Sequence, residues 1–502
     1  MQDSDDGSTE LDFQTRSHAA LRRSCRRGVA HPWGARGSGA ESTRARIPRL
    51  QPGVRLPHRE GRAGSVAPGH PRDRPPSQRL RADSRIRQRG SRSGSRRANR
   101  RRRGSRGRRR SGRAHPRLPG SCAGGLEGCP GNHAVAAQGT PRVIDADVVV
   151  VGAGITGVAT ARALARAGRG VILIEQFGLG HTQGSSHGAS RIFRLSHPET
   201  HFIRMAQDAL LGWRELEAEC GEQLIVPNGG LDFGSVALEN APALAASGVP
   251  HELLTGAEVA GRWPIAAEPH EQVLFQADGG TILSDLAHSV MLAAAVDSGT
   301  VVLEHQRVTG IEQGPSSVRI RTDGDEITAR ACVVAAGAWA GLLLHEAGIE
   351  LAVTPTRETI TYFGLPDALA LPTVIDDAVP DANEHGLLRQ GRINYSLAAP
   401  GVGLKAGLHH SGPSVDADDP GIPDPAVMRW VSIWAARRYP ELDPEPIGSE
   451  TCLYTNTPDE SFVLERHGRV VVASACSGHG FKFAPYLGRE IAALTDDAVS
   501  AA

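Results

Sequence analysis

Two lysines, Lys405 and Lys482, are the residues of this chain best suited to specific chemistry. They are the only lysines among 502 residues, whereas lysine and arginine together number 56. Such scarcity is typical of a GC-rich genome, in which arginine replaces lysine wherever any cation serves. A position that retains lysine therefore indicates a need for a compact ammonium whose pKa shifts readily on burial. Because both lie in glycine-rich segments, 401–407 and 478–482, we predict two active-site lysines.

A second candidate site is a phosphate-binding turn. Residues 147–151 read as a short buried strand and residues 158–167 as a helix, and between them lie Gly152, Gly154 and Gly157. Glycines at this spacing allow a tight turn, close approach of a pyrophosphate and close packing of helix on strand. A second strand at 171–174 leads to Glu175, 23 residues after the first glycine. A carboxylate there accepts both ribose hydroxyls and disfavours a 2′-phosphate, so the pattern predicts NAD or FAD.

The elements that must position these residues begin after an unusual leader. Residues 1–140 contain 32 arginines and 10 acidic residues, whereas the rest of the chain contains 24 basic and 45 acidic residues. Because it has almost no apolar periodicity, 1–142 is expected to be a disordered Arg-rich extension. It is either a nucleic-acid-binding arm, or a low-complexity leader or misassigned start. We favour the second interpretation, since no aromatic stacking pattern accompanies the arginines, and nucleic acid is not an expected partner.

The remaining residues, about 360 from Val143 onward, suffice for one large or two smaller domains. No run of about 18 apolar residues occurs, so no membrane span is expected. Seven cysteines at scattered spacings favour neither a disulfide framework nor a zinc site. We therefore predict no metal site and expect a reducing, cytoplasmic location.

The rest of the chain decides between the two cofactors. Residues 331–336 read as a buried strand leading to Gly337, and in two-domain flavoproteins such a strand returns to the nucleotide-binding sheet. Four more segments occur in this order along the chain: Gly-Ser-Ser-His-Gly-Ala-Ser-Arg-Ile-Phe-Arg at 184–194, the Lys405 segment, Cys-Leu-Tyr-Thr at 452–455 and Gly-His-Gly-Phe-Lys-Phe at 478–483. Together they resemble the monomeric sarcosine oxidase and N-methyltryptophan oxidase family of FAD enzymes over about residues 145–495.

The resemblance implies several roles around a flavin ring. Cys452 would carry FAD as a thioether at the 8α-methyl group, and nearby cations would favour the reactive thiolate. Arg191 would lie against the ring with His187 beside it. The turn at Gly478 and Gly480 would present backbone amides and the positive end of a helix to the N1–C2=O edge.

The resemblance also assigns the substrate side. Arg194 and Lys482 would bind the substrate carboxylate, for which a guanidinium fork is well suited. Lys405 would be the site of oxygen activation, where a fixed positive charge stabilises negative charge developing on O2. His409 and Tyr454 match positions near the substrate amine and carboxylate, although a purely structural role of His409 stays open.

Some features near the amine depart from the family or stay open. Leu408 stands where sarcosine oxidase has a tyrosine, and Tyr395 aligns with a family tyrosine only after a shift. Arg191 and Arg194 would share one face of a helix but point oppositely from a strand. The sequence therefore predicts carboxylate recognition but not which amine is oxidised.

We expect an α/β protein with two domains. A doubly wound, Rossmann-like FAD-binding domain would be assembled from 143–230, 280–350 and 451–495. A discontinuous substrate domain with a mixed or antiparallel sheet, from 231–279 and 351–450, would form a roof over the flavin.

The expected reaction is FAD-dependent oxidation of a secondary amino acid, N-methyl or cyclic, to an imine, with O2 reduced to hydrogen peroxide. We expect a monomer whose partners are a small amino acid and O2. Two alternatives stay open. One is a flavin amine dehydrogenase with another electron acceptor, against which Lys405 argues. The other, of a different class, is a nucleic-acid-binding protein that acts through the Arg-rich extension.

Overall fold

The computed structural model describes residues 143–378 and 393–500, so the extension predicted over 1–142 lies outside the described residues. The strands are β1 (Val143–Val151), β2 (Val171–Ile174), β3 (Arg191–Phe193), β4 (Ile225–Val226), β5 (Gly230–Phe233), β6 (Glu252–Thr255), β7 (Gln272–Gln276), β8 (Gly280–Ile282), β9 (Val301–Leu303), β10 (Val308–Gln313), β11 (Val318–Thr322), β12 (Glu326–Val334), β13 (Thr354–Phe363), β14 (Thr373–Asp376), β15 (Asn394–Ala399), β16 (Gly403–Leu408), β17 (Gly448–Asn456), β18 (Val463–His467) and β19 (Val470–Ser474). The α-helices are α1 (Ile155–Arg166), α2 (Thr200–Cys220), α3 (Ser235–Ala246), α4 (Gly256–Arg262), α5 (Ser284–Asp297), α6 (Ala340–Glu346), α7 (Pro425–Arg438) and α8 (Ala484–Ser500). None of these described helices is both long enough and apolar enough to cross a membrane.

The first sheet has a parallel centre. Strand β1 lies between β2 and β12, and β9 and β19 extend the sheet on either side, all in parallel. Residues 148–150 are fully buried, as expected for a parallel strand covered on both faces. The hairpin of β10 and β11 joins the first half of β12. This arrangement confirms the predicted α/β class.

Helices α1, α5 and α8 pack together on one face of this sheet. Their shared core includes Val158, Leu164, Met291, Leu487 and Ile491. The contact between α1 and α8 depends on Gly488, where an added Cβ would lie 2.6 Å from the backbone of Ala159. Helix α1 begins earlier than predicted, at Ile155, because Gly154 adopts an extended conformation at its N-cap.

The second sheet is antiparallel except for one pair. Its order is β17-β13-β16-β15-β14-β5-β7-β6, and only β14 and β5 run parallel. Helix α7 covers one face, with a core that includes Trp430, Val431, Trp434, Leu404, Ala406 and Leu408. Because side chains alternate along a strand, Lys405 and Gly407 of β16 face away from α7.

One strand lies in a different sheet from the one expected. Strand β17 pairs with β13 along its whole length, from Gly448 opposite Tyr362 to Asn456 opposite Thr354. Residues 451–456 are therefore part of the second sheet, although the FAD-binding segment was predicted to begin at 451. The long antiparallel ladder with the ten-residue β13 fixes this position. The division into two domains itself stays a prediction.

Candidate active site

One cavity of about 1270 Å³ is lined by residues of both large sheets. Its lining includes every residue that the sequence assigned to the site except Gly157. At Gly157 an added Cβ would lie 1.9 Å from the carbonyl oxygen of Gly152, so this glycine packs inside the turn. The chain thus brings residues from distant segments to one place.

The glycine turn between β1 and α1 forms one end of the cavity. Gly152 has a φ of +101°, and an added Cβ would lie 2.5 Å from the Ala335 carbonyl oxygen. Only glycine fits there, because both the conformation and the space exclude a side chain. In the first turn of α1, Ile155 N donates a hydrogen bond of 3.0 Å to Ser186 Oγ.

Glu175 follows β2 and lines the same end of the cavity. Its Oε2 accepts a hydrogen bond from Ala153 N at 2.8 Å, and its Oε1 accepts one from Phe177 N at 3.0 Å. Burial opposes ionisation, but hydrogen bonds from His181 and the two amides outweigh it, so the pKa of Glu175 is lowered. The carboxylate is therefore held in the charged form that accepts ribose hydroxyls.

The remaining lining fits an FAD molecule. It runs from the glycine turn past Gly337, which has a φ of +52°, to the second sheet. Here His187 Nε2 is buried and has no hydrogen-bond partner among the described residues. Burial, followed by repulsion from Arg191, lowers the pKa of His187 to about 4. A buried neutral nitrogen without a partner indicates that a ligand group completes the site.

The cavity face of the second sheet carries a set of polar and ionisable side chains. They come from β13, β15, β16 with the residue after it, and β17, and alternate with residues that point the other way. The set is Tyr362, Tyr395, Lys405, His409, Glu450, Cys452 and Tyr454. The period of two residues places these side chains on one face of each strand, and the pairing of the four strands brings them together.

Lys405 is almost completely enclosed, with 3% of its surface exposed. Its Nζ donates a hydrogen bond to the Ser190 carbonyl oxygen at 3.3 Å. Burial, followed by repulsion from Arg191, lowers the pKa of Lys405 to about 7, while Glu450 opposes this shift. The ammonium therefore titrates near neutral pH.

Arg191 and Arg194 point in different directions because Arg191 opens the short strand β3. The guanidinium of Arg191 donates hydrogen bonds to the carbonyl oxygens of Ser185 at 2.8 Å and His187 at 2.6 Å. Arg194 follows the strand, and burial lowers its pKa although the acidic Asp232 opposes the shift. The two arginines therefore serve different parts of one cavity.

Lys482 lies in the single turn Phe481–Phe483 that precedes α8. Its Nζ donates a hydrogen bond of 2.9 Å to the His479 carbonyl oxygen and lies 4.3 Å from the centre of the Phe483 ring. Burial, and then repulsion from Arg194, lowers the pKa of Lys482 well below its ordinary value. Lys482 and Arg194 come from two separate sequence motifs, yet they lie close enough for their charges to interact.

His409 and Tyr454 form a pair beside the glycine turn at 478–480. His409 Nδ1 lies 3.3 Å from the Tyr454 hydroxyl. A Cβ at Gly478 would lie 2.3 Å from the Tyr454 ring, and a Cβ at Gly480 would lie 1.8 Å from the Ala475 carbonyl oxygen. Burial, followed by repulsion from His410, lowers the pKa of His409 well below its ordinary value. The imidazole is therefore neutral at neutral pH.

The two departures from the family bear differently on the cavity. Leu408 packs in the core beneath α7, so its side chain does not shape the cavity. Tyr395 lines the cavity and lies opposite Gly407 in the strand register, where an added Cβ would come within 2.5 Å of its hydroxyl. The glycine at 407 therefore makes room for Tyr395.

His409, His410 and Glu460 bring ligand atoms within 4.8 Å of one another, and they are the group of the described chain that could hold a metal ion by residue type. Glu460 is exposed, and exposed carboxylates commonly occur without a metal. We therefore assign no metal to this group.

Sequence reasoning missed Glu450, Tyr362 and the position of Cys476. Glu450 lies two residues before Cys452, so a strand period of two would have identified it. Tyr362 lies opposite Lys405 in the register of β13 and β16, a pairing that no local pattern reveals. Cys476 is partly exposed and lines the cavity.

Comparison with known proteins agrees with this geometry. The family model described as FAD dependent oxidoreductase matches residues 147–494. Human peroxisomal sarcosine oxidase is 32% identical over 358 residues, which cover 68% of this chain and 90% of that protein. Monomeric sarcosine oxidase from a Bacillus species is 30% identical, with 69% and 91% covered. The solved structure of NikD, an unusual amino acid oxidase essential for nikkomycin biosynthesis, matches with a TM-score of 0.63 at 26% identity and covers 70% of this chain and 94% of that one. The chain therefore belongs to the FAD-dependent oxidoreductase family that includes the sarcosine oxidases.

Proposed function

We propose that this protein oxidises a secondary amino acid, N-methylated or cyclic, to an imine and passes the electrons to O2, which gives hydrogen peroxide. The observation that carries the proposal is the placement of four basic side chains, in two pairs, in one cavity. Arg194 repels the charge on Lys482, and Arg191 repels the charge on Lys405. The names of the relatives, sarcosine oxidase and amino acid oxidase, support the substrate class.

The substrate carboxylate is bound by Arg194 and Lys482. Lys482 is buried and Arg194 is partly buried, and burial followed by repulsion from Arg194 lowers the pKa of Lys482. An anionic carboxylate next to both would relieve this repulsion and favour the charged lysine. The pair is therefore better matched to an anion than to a neutral ligand.

The substrate amine is oriented by His409 and Tyr454. The neutral imidazole of His409 can accept a hydrogen bond from an N–H group. Burial raises the pKa of Tyr454 well above its ordinary value, so its phenol stays a hydrogen-bond donor. Together the pair offers one acceptor and one donor to an amino acid.

FAD, when bound, would supply the acceptor for a hydride from the substrate carbon next to nitrogen. It would also supply the route by which the electrons reach O2. Gly152, Gly154 and Glu175 would hold its nucleotide end. Lys405, while protonated, would place a positive charge where negative charge develops on O2. Lys405 therefore favours an oxidase that uses O2 over a dehydrogenase that uses another electron acceptor.

Cys452 is the proposed point of covalent attachment to FAD. Burial raises the pKa of the Cys452 thiol to about 11, although Arg191 and Lys405 act in the opposite direction. The nearby cations were expected to favour the thiolate, but burial outweighs them. Attachment therefore requires that the thiol lose its proton within the assembled site.

The covalent bond is tested by acid denaturation of the purified protein. Yellow colour should stay with the wild-type polypeptide and leave Cys452→Ser. Cys476→Ser is the matched control, because Cys476 also lines the cavity, and it should retain the colour. Flavin that leaves the wild-type protein on denaturation would contradict the attachment but not the reaction.

The reaction is tested by a turnover screen against N-methyl and cyclic amino acids. Imine formation and hydrogen peroxide should appear in equal amounts with at least one substrate. Substrate-dependent reduction of an artificial dye without peroxide would instead identify a dehydrogenase. We further propose that the protein acts as a monomer, as the name of the Bacillus relative suggests, while cytoplasmic residence stays a prediction from cysteine usage.

A further inference from the structure

Glu450 is a carboxylate inside the cavity that none of the steps above uses. It lies on β17 on the same face as Cys452 and Tyr454, and its neighbour across the strands is Ile360 of β13. The Tyr362 hydroxyl donates a hydrogen bond to Glu450 Oε1. The carboxylate is therefore held by the second sheet in a defined position.

Three charged groups meet at Gly188. A Cβ at this glycine would lie 3.4 Å from Glu450 Oε1, 3.4 Å from Arg191 Nη1 and 3.6 Å from Lys405 Nζ. The distances to Glu450 Oε1 and to Lys405 Nζ are measured from the same point. These two atoms are therefore separated by no more than the sum of the two distances. Gly188 has a φ of +101°, a conformation that favours glycine, so no side chain occupies this space.

The charges that face Lys405 do not balance without Glu450. Arg191 on β3 and His187 in the preceding loop face it from one side, and Cys452 and Glu450 on β17 from another. Asp285 on α5 is a second acidic neighbour, and it acts less strongly on Lys405 than Glu450 does. Tyr362 is the partner of Lys405 in the strand register and a neutral donor to Glu450. Glu450 is thus the main group that favours the lysine cation over its neutral form.

We propose that Glu450 is the positioning residue that keeps Lys405 protonated for the oxygen step. This inference rests on the proposed function, in which Lys405 acts on O2. Glu450 itself need not touch substrate or cofactor. It acts through the ammonium, and the hydrogen bond from Tyr362 keeps the carboxylate turned toward it.

The two-lysine composition of the chain allows a direct test. Protein with FAD bound and with lysine labelled by 13C at Cε gives two lysine signals, which Lys405→Met assigns. The Lys405 signal of the wild type should titrate near pH 7. In Glu450→Gln the midpoint should fall by about one to two pH units, as Coulomb's law gives at a separation of roughly 7 Å and an effective dielectric constant of about 20. An unchanged midpoint would overturn the proposal.

Glu450→Gln keeps the size of the side chain and an acceptor for Tyr362, so it isolates the charge. Glu450→Asp, which keeps the charge at a slightly greater distance, should restore most of the wild-type midpoint. If the glutamine variant does not fold, the aspartate variant decides. Its midpoint should then be lower by a few tenths of a unit, and an equal or higher midpoint would contradict the proposal.

Rapid mixing of reduced enzyme with O2 links the titration to the reaction. At pH 7, Glu450→Gln should reoxidise about 5- to 50-fold more slowly than the wild type, since a midpoint lower by one to two units reduces the protonated fraction of Lys405 from about one half to roughly 0.1–0.01. The rate should recover as the pH is lowered. If Lys405→Met reoxidises as fast as the wild type, the proposed function fails, while the titration still decides on Glu450. If Lys405→Met is slow but Glu450→Gln shifts neither readout, this inference alone fails.

Discussion

The two faces of the second sheet carry two buried charge clusters with opposite properties. On the α7 side, Arg438 Nε donates a hydrogen bond of 2.7 Å to Asp376, and Arg438 Nη2 lies 3.1 Å from Glu271. Its guanidinium also lies 4.0 Å from the centre of the Phe233 ring. On the cavity side, Lys405 has a carbonyl oxygen as its hydrogen-bond acceptor and a like charge nearby.

The difference appears in the pKa of each cation. Burial opposes the charge on Arg438, but hydrogen bonds to Asp376 and Glu271 outweigh it and raise its pKa. Burial of Lys405 is not outweighed, and its pKa falls to about 7. A buried cluster in which every charge has a partner stabilises the structure. A buried charge without a full set of partners can instead interact with a charged ligand, or with charge that develops during a reaction. The two faces of the sheet therefore differ in how fully their buried cations are neutralised by partners.

The largest expected effect is on stability, from Arg438→Met. Removing one partner of a buried ion pair leaves uncompensated carboxylates and costs about 3–5 kcal/mol. Urea unfolding should show this loss, while the folded protein should keep both half-reactions. The matched control is Arg262→Met, because Arg262 pairs with Glu252 at the exposed surface and should leave the unfolding curve unchanged.

The next effect is on rate, from Lys405→Met. Removal of a preorganised charge of this kind costs roughly 3–4 kcal/mol, or about 10²–10³ in rate. Stopped-flow measurements should show slow reoxidation by O2 but nearly normal reduction by substrate. Lys405→Arg should rescue poorly, since the guanidinium is broader and places its charge differently. Full rescue by arginine would mean that only net charge matters.

A smaller effect is expected at the other lysine. Lys482→Met should weaken substrate binding and slow reduction by about 10- to 100-fold, the range for a lost hydrogen bond to a charged group of roughly 1.5–3 kcal/mol. Reoxidation by O2 should change less. Equal damage to both half-reactions by both lysine variants would show that the lysines only set the general field around the flavin.

The glycine turn and the two strands beside it were predictable from the sequence because their signals are local. Gly152, Gly154 and Glu175 lie within 23 residues and serve one turn between two strands. The sequence motifs also singled out Lys405 and Cys452, and both side chains line the cavity. What these side chains contact was not predictable, because that depends on strand pairing between distant segments.

Two examples show where sequence reasoning ended. Strand β17 carries Cys452, but nothing in its own residues indicates that it pairs with β13 rather than with the parallel sheet. Arg438 and Asp376 lie 62 residues apart, and each alone reads as an ordinary surface charge. The balance between burial and pairing, which separates Arg438 from Lys405, becomes visible only when the sheet and α7 are assembled.

The smallest expected effect tests the comparison through pH and stability. Lys405 has a pKa of about 7 in the folded protein and about 10.4 in an unfolded chain. Between these values the unfolded state binds one more proton at this residue, so the free energy of unfolding should rise with pH by at most about 1.4 kcal/mol per unit. As the pH falls toward 7 that stability should be lost again.

Urea unfolding at pH 8 and pH 9 should therefore show a gain for the wild type that exceeds the gain for Lys405→Met by about 1 kcal/mol. The shifted pKa of Lys482 is present in both proteins and cancels in the difference. Arg438→Met should follow the slope of the wild type, because a guanidinium is charged in both states throughout this window. Parallel curves for the wild type and Lys405→Met would show that the folded protein keeps Lys405 charged, and the contrast between the two faces of the sheet would then be one of position alone.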